Sequence, residues 1–376
     1  MKADKFSLII TLLFCLNLYS QKEYVFFGSY NWDKATEGIY VYHLDTVNGK
    51  LTKVTAIKDV LNPSYLTISP NGKYIYACTE SKIPNSGSVS AFKFDSEKKA
   101  LTFINSQNSG GENPVYLNVH KNGKWLVNGN YTGGSVSVYP ILENGAIDSI
   151  AQNIEFTEGS IVPKRQEKSH IHSAVFSPEF DCLFLTDLGA DKIRVYPFDN
   201  SQKEPLKTEK SSVINTELGS GPRHFTFSPN GNFAYCIEEI SGMICAFSYE
   251  KTELKRIQRI ETHSQNLKDG FESADIHISP DGKFLYATNR GNENNIAIYA
   301  ILKNGFLKLI GYQSSLGRHP RTFAINETGN FIIVTNVITQ NVVVFKRNLE
   351  TGLLKKVGKT IKIKNISCVK TRIYYN

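Results

Sequence analysis

The chain has 376 residues, of which 41% are hydrophobic, 11% aromatic and 21% charged. That composition supplies a large buried core and excludes a disordered or collagen-like chain. The formal charge is +8, partly carried by Lys355, Lys356, Lys359, Lys362, Lys364, Lys370 and Arg372. No nucleic-acid-binding motif accompanies them, so this stretch reads as a solvated face and no nucleic-acid partner is expected.

Residues 1–20 read as a signal peptide. Lys2 and Lys5 form a basic start, Phe6 to Leu18 is an apolar run broken only by Ser7, Thr11 and Asn17, and Leu18-Tyr19-Ser20 offers a cleavage site before Gln21. The run is short for a spanning helix, and Phe14 before Cys15 is too bulky for lipidation of that cysteine. The expectation is an exported chain with no membrane segment after cleavage, carrying a charge of about +7 once Lys2, Asp4 and Lys5 are gone. Cys78, Cys182, Cys236, Cys245 and Cys368 then remain, an odd number that cannot all pair within one chain. Cys236 and Cys245 flank a predicted hairpin and could cross-link in an oxidising compartment. The preferred reading is buried thiols acting as small hydrophobes.

From Tyr24 onward the sequence repeats. Ser69-Pro70-Asn71-Gly72-Lys73 returns as His120-Lys121-Asn122-Gly123-Lys124, Ser228-Pro229-Asn230-Gly231-Asn232 and Ser279-Pro280-Asp281-Gly282-Lys283. Degenerate copies stand at Ser177-Pro178-Glu179-Phe180 and Asn326-Glu327-Thr328-Gly329. The turn positions 72, 123, 180, 231, 282 and 329 lie 51, 57, 51, 51 and 47 residues apart. Around each turn run four short stretches rich in β-formers, one propeller blade per unit. Almost nothing carries a 3.6-residue apolar period, so helices should be scarce.

Tyr24 to Tyr30, Gly38 to Leu44 and Leu51 to Ile57 supply three strands of a seventh blade, and the tail Ile366 to Lys370 its missing first strand. The expected fold is therefore all-β: a seven-bladed β-propeller closed by N- and C-terminal strands in one blade, forming a single domain over 21–376. Closure removes exposed sheet edges.

Repeats expose the positions that break the pattern. Eight residues before the turn position the units read Ser64, Val115, His172, Arg223, Ala274 and Arg321. Eight residues after it they read Glu80, Tyr131, Leu188, Glu239, Arg290 and Val337. Equivalent positions in a ring share one rim of the channel, so His172, Arg223, Glu239, Arg290 and Arg321 should meet at one mouth. Guanidiniums offer forked donors to a phosphate, carboxylate or oxyanion. Glu239 reads as a general base for water and His172 as the proton shuttle to a leaving alkoxide. His224 and His277 read as structural, and either Glu238 or Glu239 could cap the turn.

Several phrases also carry a family likeness: Pro163-Lys164-Arg165-Gln166, His170-Ile171-His172-Ser173, Asp187-Leu188-Gly189-Ala190-Asp191-Lys192, Gly221-Pro222-Arg223-His224, Asp275-Ile276-His277, Asn289-Arg290-Gly291, Pro320-Arg321 and Cys368-Val369-Lys370. From about Tyr24 to Lys370 the chain resembles the propeller-type 6-phosphogluconolactonase family, related to fungal muconate cycloisomerase. The resemblance implies lactone chemistry at His172, Arg223, Glu239 and Arg290; beside them Arg165, Gln166, His170 and Arg321 read as binding residues for a small-molecule lactone substrate of anionic character. It also suggests that the insertion from Glu155 to Lys168 is a loop beside the mouth. Glu238-Glu239-Ile240 departs from the family's frequent Asn-Glu-Leu. No zinc-ligand spacing, nucleotide loop or serine-nucleophile elbow occurs, so neither metal nor cofactor is expected. A cycloisomerase and a non-catalytic binding platform remain open beside the lactonase, and the sequence does not set an oligomeric state.

Overall fold

A computed structural model of the chain describes residues 21–264 and 270–375; the expected leader over 1–20 lies outside them. Twenty-eight strands form seven four-stranded sheets, and among the described residues helix is confined to one 3-10 turn, Thr208–Lys210. Blades 1 to 6 cover residues 65–108, 114–155, 171–215, 222–261, 271–314 and 320–362. In the composite blade the order from channel to rim is Ile366–Tyr375, Gln21–Ser29, Ile39–Leu44 and Leu51–Ile57. Each innermost strand packs between the innermost strands of its two neighbours, so the ring is closed.

The turn that punctuates each blade is built as its residues require. Gly72, Gly123, Gly231, Gly282 and Gly329 have φ between 69 and 75°, the left-handed region that glycine enters freely. In blade 3 Phe180 takes that position at φ 63°. Its ring compensates by stacking on Phe176 at 5.5 Å and meeting His120 edge-on at 5.3 Å.

Second strands are covered on both faces by adjoining blades. Trp125–Asn130, Cys182–Asp187 and Phe331–Asn336 are buried along their whole length. Between blades 4 and 5, for example, Tyr235, Ile237 and Ile244 meet Leu285, Ala287 and Tyr299. Each such fully buried large apolar side chain contributes about 1.5–3 kcal/mol. Neighbouring blades are also clasped by tyrosines: Tyr76, Tyr235 and Tyr286 donate to the carbonyls of Gly145, Gly305 and Gly352 at 3.1, 2.9 and 2.7 Å. The five cysteines among the described residues are buried free thiols, and Cys236 and Cys245 face each other directly across their hairpin.

Candidate active site

A β-bulge recurs where the innermost strand enters its blade in six of the seven blades; blade 1 pairs without one. Pairing jumps from Ile171↔Asp187 to Ser173↔Thr186, from Pro222↔Glu238 to His224↔Ile237, and from Pro320↔Asn336 to Thr322↔Thr335. His172, Arg223 and Arg321 are the extra residues, freed from the ladder and its alternation. Val115, Ser367 and the pair Ala274–Asp275 hold the same place in the other bulged blades.

The opposing position is the residue that follows the second strand. Its N–H donates to the carbonyl two residues before the bulge: Glu239 to Gly221 at 2.7 Å, Tyr131 to Asn113 at 2.9 Å, Leu188 to His170 at 2.9 Å and Val337 to His319 at 3.0 Å. Tyr30 makes the same bond to Asn365 at 2.8 Å. It is therefore the composite blade's counterpart of Glu239. Sequence reasoning missed it because that blade has no contiguous turn phrase from which to count.

Three arginines converge on Glu239. Oε2 accepts Arg223 Nε at 2.6 Å and lies 2.8 Å from Arg290 Nη2, while Oε1 accepts Arg165 Nη2. Arg223 is fully buried, and Glu239 and Arg290 are only 5% and 4% exposed. Burial alone would raise the Glu239 pKa, but the Arg290, Arg223 and Arg165 charges hold it well below the usual carboxylate range. Burial and the nearby Arg321 and Arg290 push Arg223 down to about 10. Arg223 Nη2 and Arg290 Nε are buried without hydrogen-bond partners. Among the described residues Arg321 forms no ion pair; its guanidinium lies 5.7 Å from the Tyr30 ring centroid.

Behind Arg223 runs a polar chain. Arg223 Nη1 donates to the Ala274 carbonyl at 2.5 Å and to His224 Nε2 at 3.2 Å, and His224 Nδ1 donates to Asp275 Oδ1 at 2.6 Å. Asp275 also receives His277 Nε2 at 3.1 Å and the N–H groups of Ile276 and Phe323, both at 3.0 Å. With Nδ1 donating and Nε2 accepting, His224 is neutral, and burial with the Arg223 charge pushes it to about 3. Asp275, to which the sequence reading gave no role, holds both His224 and His277. Burial, followed by Arg223, His224 and Arg321, likewise drives His172 well below its ordinary value. Nδ1 of His172 is buried without a hydrogen-bond partner. Its ring stands edge-on to Tyr131 and His224 at 5.4 and 5.2 Å.

The insertion forms a loop over this mouth, and its two expected binding residues part ways. Arg165 reaches Glu239 and approaches Glu272 at 3.5 Å. Gln166 is fully buried and turned inward: it donates to the Leu188 carbonyl at 2.8 Å and Asp191 at 2.6 Å, and accepts the Val162 N–H at 3.2 Å. Every polar atom of its amide group is thus engaged in holding the loop, which corrects the expectation that Gln166 binds substrate. His170 stacks on Tyr131 at 4.3 Å and donates from Nδ1 to its carbonyl at 2.8 Å, leaving Nε2 as an acceptor. Glu238 faces away from the mouth, bound by Arg259 at 2.7 Å and Ser241 at 2.6 Å. Among the described residues Glu238, Glu217 and Cys245 lie close enough to share a metal ion, but Arg256 and Arg259 already engage the two carboxylates.

A closed ring whose bulges bring histidine and arginine together at one opening defines a seven-bladed β-propeller with a charged constellation at the end of its channel. The chain belongs to the lactonase family of seven-bladed β-propellers, whose model matches residues 24–371. It is 41% identical over 352 residues to the 6-phosphogluconolactonase of Formosa agariphila, covering 93% of this chain and 99% of that relative. To the 6-phosphogluconolactonase of Bacillus subtilis it is 32% identical over 338 residues, covering 89% and 94%. Among solved structures, the periplasmic gluconolactonase of Pseudomonas aeruginosa matches with a TM-score of 0.87 at 30% identity, over 94% of this chain and 99% of that one.

Proposed function

We propose that this chain hydrolyses the ring ester of a sugar lactone, 6-phospho-D-glucono-1,5-lactone, at the mouth formed by His172, Arg223, Glu239 and Arg290. One observation carries the reading: a neutral imidazole with a buried, unpartnered Nδ1 lies beside guanidinium donors that remain after Glu239 is satisfied. The names of the Formosa and Bacillus relatives support the substrate.

In this scheme the arginines stabilise the oxyanion that develops as water attacks the carbonyl. His172 accepts a proton from that water as the new C–O bond forms. The intermediate then collapses with cleavage of the ring C–O bond, and His172 returns the proton to the leaving alkoxide. Negative charge growing on the lactone raises the proton affinity of His172 when it is needed. Glu239 holds the guanidiniums in place; a carboxylate gripped by three arginines binds protons too weakly to be the base first expected of it. His170 and Arg165 border the substrate.

The basic and apolar stretches of residues 1–20 and the periplasmic Pseudomonas relative support export, with one propeller domain over 21–376. The test is proton release from 6-phosphogluconolactone and from gluconolactone with EDTA present. Acceleration above the spontaneous rate that is lost in His172→Gln supports both the reaction and its independence of metal. No acceleration on either lactone removes the reading.

A further inference from the structure

The mouth has two unequal halves. In the half formed by blades 3 to 5, Arg165, Arg223 and Arg290 share Glu239, and Arg165 and Arg290 also approach Glu272 at 3.5 and 3.4 Å. In the half formed by blade 6, the composite blade and blade 1, the cations have no such partner. Lys82 is exposed, with Nζ 3.9 Å from the Tyr30 ring centroid, and Arg321 lies against the same ring. Among the described residues neither cation forms an ion pair. Glu80, the nearest acid in sequence, lines a separate crevice with Lys34 and Asp59.

Tyr30 stands where blade 4 places the acidic Glu239, so this side of the ring presents a π face and two positive charges instead of a carboxylate. An aromatic face holds cations in position while leaving their charge uncompensated, which suits them to receive an anion. We propose that Arg321, Tyr30 and Lys82 form an anion subsite that receives the phosphate ester of the substrate, at the far end of the sugar acid from the reacting carbonyl. This rests on the lactonase reading above and adds to it the residues that select a phosphorylated substrate. A phosphate monoester brings a charge of about −1.5 to −2, and the surplus cations here supply its complement without drawing on those that surround Glu239.

The experiment is calorimetric titration of the full chain with 6-phosphogluconate and, separately, with gluconate. In the parent, 6-phosphogluconate binds more tightly; in Lys82→Ala and in Tyr30→Leu the ratio of the two affinities falls about tenfold, and Lys82→Arg restores it. The proposal is overturned if the parent binds both acids equally, or if the ratio is unmoved in Lys82→Ala and Tyr30→Leu variants that melt at the parent's temperature. Lactone turnover is scored separately. A phosphate-dependent ratio without turnover removes the hydrolase and keeps the subsite, whereas turnover with an unmoved ratio does the reverse.

Discussion

Arg223 and Glu239 meet at 2.6 Å across a β-bulge, one supplied by the first strand of blade 4 and the other by the residue after its second. Glu239 thereby closes a network that also holds Arg165 and Arg290. Removing one partner of a buried ion pair costs about 3–5 kcal/mol, because the other charge is left uncompensated. Glu239→Gln should therefore lose most turnover and also unfold at lower denaturant concentration. Urea unfolding beside lactone kinetics measures both. A Gln variant as stable as the parent yet inactive would return the carboxylate to the role of base.

How far this network was legible depends on the kind of residue. His172, Arg223 and Arg321 could be found by counting, because the same bulge recurs at a fixed distance from a turn that needs positive φ. Tyr30 could not, since the composite blade joins its first two strands across the two ends of the chain. Charge type was readable but its balance was not: nothing in the sequence says that three guanidiniums share one carboxylate, which is what strips Glu239 of basicity. The neighbours Arg165 and Gln166 looked alike as loop residues, and only the fold turns one outward and the other into the loop's own hydrogen bonds.

His172 and His224 are held neutral in the fold, whereas the unfolded chain protonates imidazole near about pH 6.5. Below that pH the unfolded state takes up protons that the folded state refuses, so stability is full above it and falls as pH drops. Each histidine contributes a slope of about 1.4 kcal/mol per pH unit, continuing toward the folded value, about 3 for His224. Urea unfolding between about pH 7.5 and 5 should show the decline before carboxylates begin to titrate. His172→Gln should flatten it by one proton's worth; an unchanged slope would mean that His172 is charged in the native state.

Gln166 and Asp191 fasten the loop that carries Arg165. Asp191 accepts Gln166 Nε2 at 2.6 Å and the N–H groups of Gly219 and Gly221 at 2.6 and 2.8 Å. Gln166→Ala breaks the link and leaves buried groups unsatisfied, a cost of about 1–3 kcal/mol that falls on local opening of the loop. Trypsin should then cut after Lys164 or Arg165 roughly tenfold faster or more. KM should rise as Arg165 leaves its place. Cleavage at the parent's rate would show that the loop is held by other contacts.

The last strand closes the ring without a covalent bond. Ile366–Tyr375 pairs with Gln21–Ser29, and Ile366, Cys368 and Val369 are almost wholly buried. It also ties the composite blade to blade 1: Ser367 donates to the Ser64 carbonyl at 2.9 Å, Arg372 to Pro70 at 2.7 Å and Tyr374 to Gly72 at 2.7 Å. Removing 366–376 strips the channel side of one blade and leaves an open strand edge against blade 1, a template for association between chains. That truncation should lose cooperative unfolding and sediment as aggregate. Removing only 372–376 keeps the buried residues from Ile366 to Val369 and gives up the outer contacts. It should still fold, at a lowered melting temperature, since it loses the pairing with residues 21–24, the hydrogen bonds of Arg372, Ile373 and Tyr374, each worth about 1 kcal/mol, and the Tyr374 ring packed edge-on against Tyr24 and Phe94. If both truncations fold equally well, the ring does not depend on this strand for its closure; if both aggregate, the contacts of Arg372 and Tyr374 with blade 1 matter as much as the buried core of the strand.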